Sequence, residues 1–160
     1  MTLSEKGENL IKNFEGLRLN AYRDSAGVWT IGYGSTRYHD GKPIKPGDKL
    51  VSELQANALF KNTLGQYANA VNQFAKVLLN QNQFDALVSF TYNEGIGALQ
   101  KSTLLKYLNA HDYEGAANQF FVWNKVTNPA PGEKVVLDAL VKRRAIERQL
   151  FLSPFNQPNV

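Results

Sequence analysis

The spacing of apolar positions divides the chain into a series of helices, interrupted early by a stretch of different texture. Leu3, Leu10, Ile11 and Phe14 recur at helical intervals, and Thr2 and Glu5 have capping-box spacing, so an opening helix is predicted. Gly16 is placed to stop it with a left-handed residue, which leaves Glu15 on the last turn. From Leu17 to about Pro46 the helical period disappears. Residues 27–34 (Gly-Val-Trp-Thr-Ile-Gly-Tyr-Gly) are β-branched, aromatic and punctuated by glycine. Asp40 and Gly41 form a hairpin turn signal, and Pro43, Pro46 and Gly47 oppose helix. This predicts a small antiparallel sheet of two or three short strands.

Helical periodicity returns at Ser52, which with Gln55 repeats the capping-box pattern ahead of Leu54, Ala58, Ala68, Val71 and Phe74. The pattern predicts one long helix, or two joined near Gly65, ending around Leu79. Asn82 is the expected cap of the next helix, with Phe84, Leu87, Val88 and Thr91 on its packed face and Gly95 and Gly97 as its break. Ser102 opens a short helix carrying Leu104, Leu105 and Leu108, and Asp112 caps another with Ala116, Ala117 and Phe120. Residues 128–132 read as a loop, Val136, Leu137, Leu140, Val141 and Leu150 as a final helix, and 153–160 as an irregular tail. The sum is an α+β fold: a small antiparallel β lobe at about 17–50, and a helical lobe at about 51–152 that includes the N-terminal helix, the two joined by a long helix. No repeat divides the 160 residues, so one domain is expected over 1–160.

Composition narrows the chemistry. With 43% hydrophobic and 20% charged residues the chain can build a core, which excludes an intrinsically disordered segment. Zero cysteines remove a disulfide scaffold, a zinc finger and a thiol nucleophile, and two histidines, His39 and His111, are too few for most histidine-rich metal sites. Both histidines read as exposed loop residues. The net charge of +4 is concentrated toward the end: residues 121–160 hold six cations and three anions. A basic surface favours an anionic partner, but +4 without a motif gives no case for nucleic acid. The N-terminus lacks a signal-peptide h-region and no run is long enough to span a bilayer, so synthesis as a soluble chain in the cytoplasm is expected.

Three polar residues stand out by placement: Glu15 at a helix end, Asp24 in the following loop and Thr30 in a strand. Paired carboxylates are the minimum equipment for glycoside hydrolysis, one donating a proton and one ionised. The negative end of a helix favours the protonated form of a carboxyl placed there. A neighbouring anion such as Asp24 acts the same way, whereas Arg18 or a guanidinium from the last helix acts against both. Taken alone, the three residues also fit an ordinary surface Glu, a turn Asp and a strand Thr.

For the three alone that ordinary reading is the favoured one, and the surrounding letters change the weighting. Glu15-Gly-Leu-Arg-Leu, Ala21-Tyr22, Asp24 and the 27–34 segment together resemble the active-site segment of the phage-type lysozymes, glycoside hydrolase family 24. The family pattern of a Glu, eight residues, an Asp, five residues and a Thr is reproduced. Gln83 to Phe90 with Asn93 and Gly95, Ser102 to Leu105, Asp112-Tyr113, Trp123 and Leu140 to Glu147 are similar to family segments in the same order, over about residues 3–151. The resemblance implies a lysozyme-like fold and hydrolysis of the β-1,4 bond between N-acetylmuramic acid and N-acetylglucosamine in peptidoglycan. Glu15 would be the general acid, with Asp24 and Thr30 positioning water for an inverting attack. It implies no metal and no cofactor. It also implies an endolysin, acting as a monomer on the periplasmic wall of a phage-infected host after release through a holin-type pore. The segment between Trp123 and Leu137 departs from the family pattern, which puts specificity on that side in question.

Further expectations attach to single residues. Tyr92 and Asn93 are candidates for sugar contact, with a core Tyr and a helix-ending Asn as the alternative; Gly34 is a candidate for lining the cleft. Trp29 and Tyr33 are expected to pack the small sheet, and Phe120 and Trp123 the core. Lys142, Arg143, Arg144 and Arg148 read as a basic stripe on an amphipathic last helix, suited to an anionic outer membrane, or to buttressing Glu15 with one arginine. The rival functions are a lytic transglycosylase or chitinase on the same fold, and a non-catalytic binder of wall or membrane.

Overall fold

The computed structural model describes residues 1–127 and 132–155. Among these, the chain runs through α1 (Glu5–Glu15), β1 (Arg18–Arg23), β2 (Trp29–Gly32), α2 (Glu53–Phe74), α3 (Gln81–Glu94), α4 (Ile96–Lys101), α5 (Thr103–Asn109) and α6 (Tyr113–Gln119). A 3₁₀ turn (Phe120–Val122), β3 (Lys125–Thr127), β4 (Lys134–Val136) and α7 (Asp138–Leu152) follow. The architecture is the α+β arrangement expected: a small antiparallel sheet after the first helix, a helical lobe, and a long helix joining them.

The first helix is seated by its N-terminus. Ser4, not Thr2, is its cap: the Ser4 hydroxyl accepts from the Gly7 N–H, while its own N–H and hydroxyl both donate to Asp85 of α3. The tertiary partner decides which of two suitable residues caps. Asp85 is fully buried and also accepts from the Gln81 amide at 2.8 Å. Gly7 passes so close that a Cβ there would lie 2.7 Å from the Asp85 Cγ. Gly7 and Ile11 form the buried face of α1, and Glu15 continues it one turn later. Gly16, at φ 70°, ends the helix, and its N–H donates to the Lys12 carbonyl.

β1 and β2 pair antiparallel, with Tyr22 opposite Thr30 and Arg23 opposite Trp29, and with a register irregularity between Arg18 and Tyr22. Isolated bridges extend this lobe: Asn20 with Lys49, Ile31 with Ser35, and Arg37 with Pro43 around the turn at Asp40 and Gly41. The lobe is anchored by Ile31, Tyr33, Ile44 and Leu50, which join one hydrophobic core with Phe60 of α2 and Phe84, Leu87 and Phe90 of α3.

α2 runs unbroken through Gly65 and stops at Phe74, five residues before the expected end. Its Ser52 cap accepts from the Gln55 N–H, but the Gln55 side chain turns to the Val51 N–H instead of closing the box on Ser52. Asn80 caps α3 with a complete box to Gln83; Asn82, the expected cap, is buried and donates to the carbonyls of Ser153 and Pro154. Gly95 at φ 103° breaks α3 from α4, and Gly97 sits inside α4. Ser102 and Asp112 cap α5 and α6 as predicted. Phe120 is fully buried, Trp123 packs edge-on against Phe90, and both histidines are exposed.

Two expectations fail at the C-terminal side. Val136 belongs to β4, not to the last helix: Lys125–Thr127 and Lys134–Val136 pair as a short exposed hairpin built from β-branched residues. Residues 128–131 of the expected loop, and 156–160 of the expected tail, lie outside the described residues. The basic stripe is also corrected. Of Lys142, Arg143, Arg144 and Arg148, the two middle residues are buried, Arg144 completely, because anions inside the protein take their guanidinium groups. Only Lys142 and Arg148 reach the surface, where Lys142 pairs with Asp138 and Arg148 donates to Asn118. The helix thus presents no continuous cationic face to a membrane.

Candidate active site

Glu15 projects from the end of α1 between the two lobes, its side chain 21% exposed. The two carboxyl oxygens meet different surroundings. Oε1 accepts from the Arg143 Nη1 at 2.9 Å. Oε2 points toward Gly34, where a Cβ would lie 3.3 Å from it and 3.2 Å from the Tyr92 hydroxyl. Gly34, at φ 95°, is therefore needed twice: its backbone lies in the left-handed half of conformational space, and its missing side chain leaves one face of Glu15 open.

Asp24 occupies the tight connection between β1 and β2. Its Oδ1 accepts from the Ala26 and Val28 N–H groups, each at 2.9 Å, an Asx-type turn that fixes the carboxylate. Among the described residues Oδ2 accepts no hydrogen bond. Thr30 is buried in β2, and its hydroxyl donates to the Val28 carbonyl at 2.9 Å. With its proton so engaged, Thr30 Oγ1 is an acceptor for anything that approaches.

Tyr22 links these groups. It is the cross-strand neighbour of Thr30, which places the two side chains on one face of the sheet. Its hydroxyl is held above the usual phenol range by burial first, then by the negative charges of Glu15 and Asp24, with Arg18, whose guanidinium stacks 4.5 Å over the ring, acting in the opposite sense. Tyr67 is likewise raised by burial and then Glu15. Tyr92 is raised above the usual phenol range, chiefly by burial and next by Glu15, and donates to the Tyr33 carbonyl at 2.7 Å. Three neutral phenols and one arginine therefore surround Glu15. A hollow of about 320 Å³ continues from Gly34 and Tyr67 along Thr36, Arg37, Asn62 and Gln66, a polar trough between the sheet lobe and α2. A second hollow, about 670 Å³ between α1 and α7, is lined by none of Glu15, Asp24 and Thr30.

Sequence reasoning thus names the carboxyl groups and the threonine, and the structure brings Gly34 and Tyr92 beside Glu15. Asn93 is placed otherwise: its Oδ1 accepts from Arg144, so it joins a charge network instead of offering that oxygen to the trough. Tyr22 and Tyr67 carry no role in the sequence reading. Tyr33, expected to pack the sheet, leans on Phe60 of α2. The arginine that buttresses Glu15 is Arg143; the spacing of Arg143 and Arg144 from Glu147, four and three residues, is the available signal that these cations pair within the helix.

The model of the phage lysozyme family matches residues 12–147. An endolysin of Bacillus phage B103 is 46% identical over 96% of this chain and 55% of its own length, so the chain spans about half of that relative. An endolysin of Acyrthosiphon pisum secondary endosymbiont phage 1 is 44% identical over 96% of this chain and 99% of the relative. Among solved structures, an endolysin from Escherichia coli O157:H7 phage FAHEc1 superposes with a TM-score of 0.87 at 48% identity, covering 95% of this chain and 94% of the other.

Proposed function

The chain belongs to the phage lysozyme family, and from that membership we propose that it is an endolysin muramidase, hydrolysing the β-1,4 bond between N-acetylmuramic acid and N-acetylglucosamine in peptidoglycan. Glu15 is the general acid. Arg143 occupies Oε1, so the proton to be donated sits on Oε2, on the face that Gly34 leaves open for the glycosidic oxygen. That division of the carboxyl into a held oxygen and an exposed one is the observation that carries the reading.

The water follows from the other two groups. Asp24 Oδ1 is committed to backbone N–H donors and the Thr30 proton to a carbonyl, so the Asp24 Oδ2 and Thr30 Oγ1 are both acceptors. A water between them donates both of its O–H bonds and turns a lone pair toward the anomeric carbon. Asp24 takes the proton as attack proceeds and stabilises positive charge on the sugar. Acid and water then act from opposite faces, the inverting arrangement, for which carboxyl groups about 6.5–9.5 Å apart leave room. Gly34 and Tyr92 shape the sugar-facing wall; Asn93 contributes at most through its amide nitrogen.

The single hydrophobic core shared by both lobes supports reading residues 1–160 as one catalytic domain. From the same family membership we propose action as a monomer on the periplasmic wall after release through a separate holin-type pore; among the described residues no helix is long and apolar enough to cross a membrane. The test is a clearing assay on outer-membrane-stripped cells with mass spectrometry of the products. Wild type should release reducing muramic acid ends, and Glu15→Gln should abolish clearing while still sedimenting with murein. Anhydromuramic ends throughout, or a fully active Glu15→Gln, would overturn the proposal.

A further inference from the structure

Behind Glu15 lies a charge cluster that the reaction itself does not use. Glu147, fully buried on α7, accepts from Arg143 Nε at 3.2 Å through Oε2 and from Arg144 Nη1 through Oε1, and Ser89 Oγ donates to its Oε2 at 2.5 Å. Arg143 is fixed on every side: Nε on Glu147, Nη2 on the Ser89 carbonyl at 3.1 Å, Nη1 on Glu15, and its plane 4.5 Å over the Phe14 ring. Arg144 reaches Glu94 at 2.9 Å, Asn93 and the Trp123 carbonyl.

An arginine against the acid poses a problem, because a guanidinium favours the ionised carboxylate and would strip the proton the acid has to donate. The cluster resolves it by charge balance. Its two guanidinium groups are matched by the carboxylates of Glu147 and Glu94, so it is neutral when Glu15 carries its proton and net negative when Glu15 does not. In a region shielded from water, that excess negative charge is costly. We propose that Glu147, with Glu94, is a positioning residue that neutralises the buried arginines, so that Arg143 orients Glu15 without deprotonating it.

Other charged and titratable groups face Glu15 from each neighbouring element. Tyr92 does so from α3, Tyr67 from α2 and Tyr22 from the sheet, with Arg18 and Asp24 beside Tyr22; Glu94 of α3 faces Arg144 instead, and Lys12, one turn earlier on α1, lies over the rings of Tyr33 and Phe60. Arg18 and Asp24 act on Tyr22 with opposite sign, the phenols are neutral and Lys12 is a cation, so none of these supplies the negative charge that balances the arginines. Of the two balancing anions, Glu147 touches both arginines and Glu94 only one, so Glu147 should dominate.

The inference rests on Glu15 being the acid, and the experiment separates the two ideas. The pH profile of kcat/KM on stripped cells or soluble murein fragments is measured for wild type, Glu147→Gln, Glu94→Gln and Ser89→Ala, with thermal melts of each. Glu147→Gln keeps the shape and loses the charge; the alkaline limb should move about one pH unit lower, roughly a tenfold loss on that limb with the acid limb unmoved. Glu94→Gln, on a residue with a partly exposed side chain, should shift the limb the same way by less, and it carries the test if Glu147→Gln does not fold. Ser89→Ala removes a hydrogen bond without changing charge and should lower Tm with the limb in place. Superimposable profiles for both glutamine variants, with Glu15→Gln inactive, overturn this inference alone; an active Glu15→Gln overturns the reading beneath it.

Discussion

Replacing Gly7 by Ala should destabilise the protein even though it sits inside a helix, where alanine ordinarily gains about 1 kcal/mol over glycine. The added Cβ would lie 2.7 Å from the Asp85 Cγ, 2.8 Å from the Leu3 Cδ1 and 2.9 Å from the Asp85 Oδ1. Ordinary contact begins about 0.7 Å farther out, so something must move. Asp85 is fully buried and held by the Ser4 N–H and hydroxyl and by the Gln81 amide. Displacing it weakens at least one charge-assisted bond, about 1.5–3 kcal/mol, on top of about 1–3 kcal/mol of overpacking. Against the propensity gain, the net expectation is a loss of about 2 kcal/mol, or about 4–8 °C in Tm for a domain of this size. Gly65, in α2 with nothing within 4 Å of its would-be Cβ, is the matched control, and Gly65→Ala should gain about 0.5–1 kcal/mol. Melting curves by circular dichroism decide it. A Gly7→Ala protein melting at or above wild type would refute the argument that the Ser4–Asp85 seat fixes α1, and with it the placement of Glu15 two turns on.

Thr30→Val should lower kcat by about 10²–10⁴ through loss of the water acceptor. Its Tm should fall by only a few degrees, from one neutral hydrogen bond of about 1 kcal/mol, and Thr30→Ser should recover most of the activity; a valine variant above a tenth of wild-type rate contradicts the assignment. Gly34→Ala and Gly32→Ala both place a side chain at positive φ and should each lose about 1–3 kcal/mol, but only the first crowds Glu15, so clearing assays should show loss for Gly34→Ala alone. The Tyr38 hydroxyl donates to Asp48 at 2.6 Å, and this bond, with the Lys45 N–H, holds Asp48 below the usual carboxylate range, while burial and that same bond push Tyr38 up to about 12. A lowered carboxylate adds stability above its unfolded value near 4 that is lost as pH falls. A raised phenol adds stability below about 10 that is lost as pH climbs toward 12. The Tm difference between wild type and Tyr38→Phe should therefore be widest between these limits and narrow on both sides; a gap independent of pH would contradict the pairing.

The parts of the fold written in local chemistry were legible. Caps at Ser52, Ser102 and Asp112, the break at Gly95 and the turn at Asp40 and Gly41 follow from side chains meeting their own backbone. Where two residues could serve, tertiary partners chose: Asp85 selected Ser4 over Thr2, and the C-terminal carbonyls drew Asn82 inward and left the cap to Asn80. The candidate site divides in the same way. Glu15, Asp24 and Thr30 stand out as a spaced set, whereas Tyr22 and Tyr67 become partners of Glu15 only once β1 and α2 pack. The reading of Arg143 and Arg144 as surface charge failed because a sequence shows the sign of a residue but not the anion, 128 positions away in the case of Glu15, that draws it inside.

With the proposed acid on one face of the sugar and an activated water on the other, the anomeric form of the first product reports on both together. Proton NMR of murein fragments during the first minutes of digestion, before mutarotation, should show the new muramic acid ends in the α form. Ends released in the β form would contradict it.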